Sequence, residues 1–594
     1  MASEKIAKSG ADIIAEYLER NGVEYVFTLT GHTILSLYEA IRKTKIKLIA
    51  VRHEQIAAHA ADGYFRASHK PGIVITHIGP GLLNATTGVA TAALDSSPLI
   101  VISGDAPSVY EGAGPHQEIN QVTDLSQYLV YVPFVKRAWR VNHVENIERI
   151  MDRAFSIALG GRPGVSLVDV PMDIFALKTD KHSLYTTRHS LNEARFAPDH
   201  ETIERAVDFI LKHKKILILA GGGVRLSEAG REIADLSEAL NAPVVSTMGG
   251  KGTFPEHNER ALGFLGGWGN PYANRASLES DLIIAVGTRF GEVNSSSWIE
   301  GYTFDFSKTH LLRIDIDEKE RSKDYPEDMF LQGDAKTTLS EIIAELKKRS
   351  AARPAANSSW YSELRKGLDD YYRDFMNCEM GSDKIKPNYV IRVLQELMDE
   401  DRSISLITDV GWSKNGIAQY FRIDDPLNFI TPGGLATMGF APGAAVGFKI
   451  GAPDRKVIAV VGDGGFSSAI SALFTAVQYS IPVVFLVMNN WSFGTIQGLQ
   501  RSYFDRKFIG TAFTGSGTDL YNPDFVKIAE ASGALGFDVK NGSELKATVR
   551  KALNGGRPAV INVPTDLEPD VPITGHWSIT DIYAGNVKYM FDRR

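Results

Sequence analysis

Residues 456–494 read KVIAVVGDGGFSSAISALFTAVQYSIPVVFLVMNNWSFG, which parses as a strand, a turn, a helix and a second strand. Val457 to Val461 is a continuous apolar run rich in β-branched residues, the mark of a strand buried on both faces, and it stops at Gly462-Asp463-Gly464-Gly465. Ser468 to Tyr479 carries apolar residues at helical spacing, and Pro482 to Met488 is a second buried strand that closes on Asn489-Asn490. A strand, crossover helix and strand pair in parallel with a right-handed connection. Asp463 and Asn490 are therefore expected together at the carboxyl edge of one sheet, where open α/β sheets bind ligands. One offers a charged oxygen and the other a neutral one, a pair that suits Mg2+, which also bridges phosphates. The glycines around Asp463 let backbone amides approach a diphosphate, and a helix starting near Ser467 adds its positive end. Gly-Asp-Gly alone is ordinary turn chemistry; its pairing with Asn490 carries the reading.

A chain of 594 residues has room for three or four domains. Sixty-four basic against 71 acidic residues give a net charge of −7, so no basic field attracts nucleic acid or an anionic membrane. Cys378 is the single cysteine, which rules out an internal disulfide and suits a reducing compartment. The first residues, MASEKIAKSGADII, lack the apolar core of a signal peptide, and no run approaches the ~20 apolar residues needed to span a bilayer. The expectation is a cytoplasmic protein with neither nucleic acid nor membrane as partner.

Outward from the opening stretch, the fold class reads as α/β, with three doubly wound parallel-sheet domains. Residues 1–187 alternate helix and strand patterns, with buried strands at Lys47 to Val51, Ile73 to His77, Pro98 to Ser103 and Val165 to Val170. Residues 188–350 repeat the alternation after a polar stretch near Arg188 to Asp199. Residues 351–384, charged and then Ala/Ser/Pro-rich, read as a linker; 385–567 form the third unit, and 568–594 a tail that covers either the active site or a subunit edge. Gly160-Gly161-Arg162-Pro163 leading to Val170-Pro171-Met172-Asp173 recurs as Gly555-Gly556-Arg557-Pro558 leading to Val563-Pro564-Thr565-Asp566. The same order at the ends of the first and third units points to duplication, and two related domains can share one ligand.

Glu54 follows the strand Lys47 to Val51 and opens an alanine-rich helix, which puts its carboxylate at another strand edge. A glutamate in a first helical turn is favoured by the macrodipole whatever its function. The Asp463–Asn490 pattern, however, resembles the cofactor motif of the thiamine diphosphate (ThDP)-dependent enzyme superfamily, and more of the chain resembles its acetolactate synthase branch. Gly79-Pro80-Gly81-Leu82-Leu83-Asn84 is similar to the family's GPG-x-x-N stretch, and Pro115-His116-Gln117-Glu118 to its Phe-Gln-Glu segment. Thr431 to Gly439 resembles its Gly-Gly-Leu-Gly-Thr-Met-Gly run, and Asp409-Val410-Gly411-Trp412-Ser413 its diphosphate turn.

The resemblance implies a pyrimidine-binding first domain, a central domain and a diphosphate-binding third domain. It implies that Glu54 holds N1′ of the cofactor's aminopyrimidine and that Met438 wedges the cofactor while the Ala436 carbonyl accepts from its 4′-amino group. Gly411, Trp412, Ser413, Gly462, Gly464, Gly465, Phe493 and Gly494 would cradle it, with Asp463, Asn490 and the Ser492 backbone oxygen on Mg2+. Gln117 would sit beside the reacting centre. Joining of the sites across subunits implies a homodimer or homotetramer. The implied reaction is decarboxylation of a small 2-oxo acid, in the first place pyruvate, with transfer of the acyl carbanion equivalent to a carbonyl acceptor.

Two departures bear on substrate. Gly31-His32-Thr33 and Thr76-His77-Ile78 put histidines where the branch has none, and both should face the reacting side, where imidazole suits proton relay at neutral pH. They keep open a ThDP-dependent lyase or hydrolase cleaving a diketone or hydroxyketone; an inactive ThDP-fold regulatory protein is a further alternative. In the middle unit, Gly221-Gly222-Gly223 and Gly287-Thr288-Arg289-Phe290 follow strands without a full G-x-G-x-x-G fingerprint. Acetolactate synthases hold FAD in this domain and other relatives keep the fold without a nucleotide, so both readings stand.

Overall fold

The computed structural model describes residues 7–119, 126–181, 189–349, 357–505, 507–515, 519–567 and 571–586. They build three six-stranded parallel sheets, each flanked by helices. In the first, the spatial order is Lys47–Ala50, Tyr25–Thr28, Gly72–Thr76, Leu99–Asp105, Ser166–Pro171 and Arg137–Arg140. In the third it is Phe429–Ile430, Ile404–Thr408, Lys456–Gly462, Val483–Asn489, Ala559–Pro564 and Leu535–Asp538. Numbered along the chain, both run 2-1-3-4-6-5. The repeated Gly-Gly-Arg-Pro turn enters the equivalent strand of each sheet, with Gly161 and Gly556 both left-handed at φ 58° and 62°. The central sheet is different. Its strands, Ala261–Phe264, Val244–Ser246, Ile216–Ala220, Leu282–Val286, His310–Asp315 and Met329–Gln332, run 3-2-1-4-5-6, the order of dinucleotide-binding sheets.

The decisive stretch folds as read, with one correction. The strand Lys456–Gly462 pairs in parallel with Val483–Asn489, from Val457 opposite Val483 to Gly462 opposite Met488. The intervening helix is broken in two, Asp463–Ser468 and Ser471–Gln478, and the first piece starts at Asp463 rather than near Ser467. The stretch 351–384, expected as a linker, holds the helix Asn357–Met376. Its Trp360, Tyr361, Leu364, Leu368 and Tyr372 complete the core on one face of the central sheet. Past residue 571 the tail crosses the central domain, stacking His576 on Tyr302 and Trp577 near Trp268, and Tyr583 ends against Phe504.

Two helices, Glu54–Ser68 from the first domain and Phe440–Gly451 from the third, pack backbone to backbone. A Cβ on Gly63 would lie 2.0 Å from the carbonyl oxygen of Ala444, and one on Gly447 1.8 Å from that of Ala60. Only glycine fits there, which explains the small-residue run 443–447. His59 is enclosed in this seam, its ring edge-on to Phe440 at 5.3 Å. Burial drives its pKa down to about 3, with Arg66 adding repulsion. An unfolded chain takes up the His59 proton near pH 6.5 while the folded one does not, so the stabilising contribution is complete above 6.5 and is lost as pH falls. Between pH 7 and 5, wild type should lose about 2 kcal/mol of unfolding free energy that His59→Gln does not lose. Urea midpoints at the two pH values measure it, and equal slopes for the two proteins would contradict it.

Candidate functional site

The carboxyl end of the third sheet opens into a cavity of about 290 Å³. Three helices begin on it: Trp412–Tyr420 after Gly411, Asp463–Ser468 after Gly462, and Gly494–Tyr503 after Phe493. Their first-turn amides have no backbone partners within their own helices, so the cavity is lined with N–H groups and positive dipole ends suited to a diphosphate. Gly411 adopts φ 88°, a conformation that other residues rarely take, to turn the chain into its helix. Ser413, Met438, Gly464, Gly465, Asn490 and Ser492 also face the cavity, so nearly all the residues expected on a diphosphate converge there. Space is tight: a Cβ on Gly464 would meet the Phe493 ring at 2.7 Å, and one on Gly494 would meet the Asn490 amide nitrogen at 2.6 Å.

Asp463 is 1% exposed, and its partners among the described residues are neutral donors, with Oδ1 accepting from the Gly464 amide at 3.0 Å and Oδ2 from Asn522 Nδ2 at 2.7 Å. Burial raises its pKa against the opposition of Asn522 and the neighbouring amides. A buried carboxylate whose hydrogen-bond partners are all neutral fits a cation. The Asn490 amide oxygen accepts from the Ser492 amide and hydroxyl, both at 3.1 Å. A carboxylate, an amide oxygen and a backbone carbonyl are hard donors of the kind Mg2+ accepts.

Ala436 does not line this cavity. It sits at φ 55° in the loop ahead of Phe440, while its neighbour Thr437 bonds Thr91 Oγ1 at 2.7 Å. Asp95 anchors the loop from the first domain by accepting from the Gly433 amide at 3.0 Å and from that of Gly434, and Arg66 donates to Asp95 at 2.7 Å and to the Thr431 carbonyl at 2.9 Å. The exposed Met438 side chain stands on the cavity rim. Beneath it, Asp409 is buried and pushed up to about 6, opposed by the amides of Ala441, Val410 and Gly439.

Glu54 lies elsewhere. It is 4% exposed at the start of its helix, with Asn84 Nδ2 donating to Oε2 at 3.1 Å. Gly81 faces its other oxygen, and a Cβ there would come within 3.2 Å of both Glu54 Oε1 and the His77 Cβ. His32, His77 and Gln117 do gather at this edge. The His32 and His77 rings meet edge-on at 4.7 Å, His116 lies 6.0 Å from His32, and His77 Nε2 is 2.7 Å from Gln117 Oε1. Burial, then the neighbouring His77 and His116, hold His32 below the usual imidazole pKa. Every residue lining the cavity falls between Pro387 and Leu567, so the Glu54 edge is not part of it within one chain.

A second cavity, of about 220 Å³, opens at the carboxyl end of the central sheet, where the strands Ile216–Ala220 and Leu282–Val286 lie side by side. All three domains wall it, with Gly222, Thr288 and Asp315 from the centre, Arg162 from the first and Lys414 from the third. Burial pushes Asp315 up to about 6.

This arrangement defines an α/β protein with a cleft suited to a diphosphate on one domain and an acidic edge on another domain of the same strand order. Comparison with known proteins agrees. Residues 8–124 match the thiamine pyrophosphate enzyme N-terminal TPP binding domain, 203–342 its central domain and 409–563 its C-terminal TPP binding domain. The probable acetolactate synthase large subunit of Methanococcus aeolicus is 34% identical over 570 residues, 94% of this chain and 92% of that protein. Acetolactate synthase isozyme 3 large subunit of Escherichia coli K12 is 34% identical over 551 residues, 92% of each. The mitochondrial acetolactate synthase catalytic subunit of Saccharomyces cerevisiae is 31% identical over 595 residues, 97% of this chain and 83% of that one. The chain belongs to the ThDP-dependent enzymes, which make and break carbon–carbon bonds, and within them to the acetolactate synthase-like branch. No helix among the described residues is long and apolar enough to cross a membrane.

Asn522 and Asp95 escaped sequence reading. Asn522-Pro523 signals only a turn, and nothing local marks the reach of Asn522 to both Asp463 and Asn489, each at 2.7 Å. Asn522→Ala should raise the ThDP concentration for half-saturation by roughly five- to tenfold, the worth of one or two hydrogen bonds. Quenching of tryptophan fluorescence on titration reads this out, Trp412 being on the cavity wall; an unchanged titration would remove Asn522 from the site.

Proposed function

We propose that this enzyme is a ThDP- and Mg2+-dependent carboligase that decarboxylates a small 2-oxo acid, in the first place pyruvate, and passes the acyl fragment to a carbonyl acceptor. The observation that carries the proposal is Glu54: a buried carboxylate with one oxygen held by Asn84 and the other facing a glycine, so that a ring nitrogen can reach it. ThDP supplies the electron sink for the carbanion. Glu54 would hold a proton against the aminopyrimidine, the amides at the helix starts after Gly411, Gly462 and Phe493 would bind the diphosphate, and Asp463, Asn490 and the Ser492 carbonyl would hold Mg2+. His32, kept neutral, can accept a proton from an intermediate, and Gln117 can orient the substrate.

Because the Glu54 edge and the diphosphate cleft are separate within one chain, two chains must meet to form one site, which supports a homodimer or a homotetramer of two such pairs. The large subunits and catalytic subunit to which the chain is similar carry the name acetolactate synthase. A second reading keeps the cofactor and drops decarboxylation: the cluster of His32, His77 and His116 also suits a lyase or hydrolase that cleaves a diketone or hydroxyketone. Purified enzyme given pyruvate is expected to release carbon dioxide, and Glu54→Gln to slow it by at least roughly 100-fold while still binding ThDP. No release from any 2-oxo acid would exclude the carboligase and favour the lyase.

The second cavity supports FAD. It lies at the switch point of a 3-2-1-4-5-6 sheet, is lined by the Gly222–Gly223 and Gly287 turns, and has Arg162 held by Asp317 at 3.3 Å and Glu320 at 2.8 Å. The enzyme as isolated should show the visible absorption of an oxidised flavin, and mass spectrometry of the released ligand should assign it to FAD. A colourless enzyme that takes up no added FAD would refute it.

A further inference from the structure

Thr33 is buried behind the histidine cluster, in the turn His32–Ile34. Its Oγ1 accepts from the Ile78 amide at 3.2 Å and lies 3.0 Å from His77 Nδ1. On the far side of the ring, His77 Nε2 is 2.7 Å from Gln117 Oε1. An amide oxygen only accepts, so Nε2 carries a proton. The Thr33 hydroxyl already accepts from Ile78 and has one proton to give, and His77 Nδ1 is the acceptor in reach.

We propose that Thr33 is a positioning residue that locks neutral His77 as the Nε2–H tautomer, so that His77 donates to Gln117 and commits the Gln117 amide N–H groups to substrate oxygens, those of the 2-oxo acid carboxylate. The hydrogen bonds then run one way, from Ile78 N–H to Thr33, from Thr33 O–H to His77, and from His77 to Gln117. The chain ends in two N–H donors that have no partner among the described residues, and donors of this kind match a carboxylate. The backbone holds the end of the chain in place. Gln117 sits at φ 65°, a left-handed conformation that non-glycine residues adopt rarely, and its carbonyl oxygen occupies the space where a Cβ on Gly79 would stand, 2.1 Å away. Gly31 clears the other side, since a Cβ there would meet the His77 ring at 2.2 Å. The groups facing His77 are thus Thr33, Gln117, the His32 ring at 4.7 Å and, across Gly81, the Glu54 carboxylate. In this arrangement His77 is a hydrogen-bond donor and not the proton acceptor that its type suggests.

The inference rests on the reading of this edge as the reacting end of the site, and its test separates the two. Holoenzyme labelled with 15N-histidine, with His77→Asn to assign the signal, should show a protonated Nε2 and a bare Nδ1. Thr33→Val should shift the pair toward a mixture of tautomers and lower kcat/KM for pyruvate by roughly five- to tenfold, the worth of one hydrogen bond, without moving ThDP half-saturation. Thr33→Ser, which keeps the hydroxyl, should restore both readings. A protonated Nδ1 in wild type, or a Thr33→Val enzyme that matches wild type in both measurements, would overturn the lock. A correct tautomer in an enzyme inert toward pyruvate would overturn the pyruvate reading alone.

Discussion

The close crossing of the helices Glu54–Ser68 and Phe440–Gly451 is the contact on which the rest depends. It is a van der Waals contact between backbones, possible only because glycine and alanine line both faces, and it brings carbonyl oxygens to where side chains would otherwise stand. Interiors pack at crystal density, so such a seam has no slack to absorb an added methyl group. It fixes the orientation of Glu54, at the start of one helix, relative to the loop that leads into the other. The seam thereby sets the spacing between the Glu54 edge and the cleft of the third domain, which stay apart within one chain.

Polar chemistry reinforces the seam at its end. Asp62, Arg66 and Asp95 form a buried network, Arg66 gripping Asp62 at 2.7 and 3.0 Å, and Asp95 passes the grip on to the Gly433 and Gly434 amides. Buried charges persist when paired and fully hydrogen-bonded. Here the pairing spends those charges on holding the loop that carries Ala436 and Met438. The C-terminal tail adds a third tie, since the Thr574 and Gly575 amides donate to the Gly267 carbonyl, and Gln419 donates to the carbonyls of Pro572 and Gly269.

Buried strands were legible because a parallel sheet covered on both faces needs unbroken apolar runs. The strands expected at Lys47 to Val51, Ile73 to His77, Pro98 to Ser103 and Val165 to Val170 form with their bounds shifted by a residue or two. Edge strands such as Arg137–Arg140 and Leu535–Asp538 are mixed in polarity and leave no such trace. The helix Asn357–Met376 was hidden by the Ala/Pro/Ser stretch before it and by an apolar face built from aromatic residues spread over five turns. In the candidate sites, the residues that short motifs single out gather at two sheet edges, Asp463 and Asn490 at one and Glu54 and both histidines at the other. No short motif singles out Thr33, Asp95 and Asn522, because their roles come from partners that are distant in the chain.

The outer domains share a strand order and a closing turn, yet their equivalent aspartates have parted ways. Asp173 is consumed in holding Ser108, whose amide and hydroxyl donate to it at 2.8 and 2.5 Å, whereas Asp566 is left on the wall of the diphosphate cleft. An ancestor with one such domain would have needed the same edge to hold both ends of a ligand. Two domains of one strand order divide that work between them, so a change at either edge is felt at the other even though each domain folds around a sheet of its own.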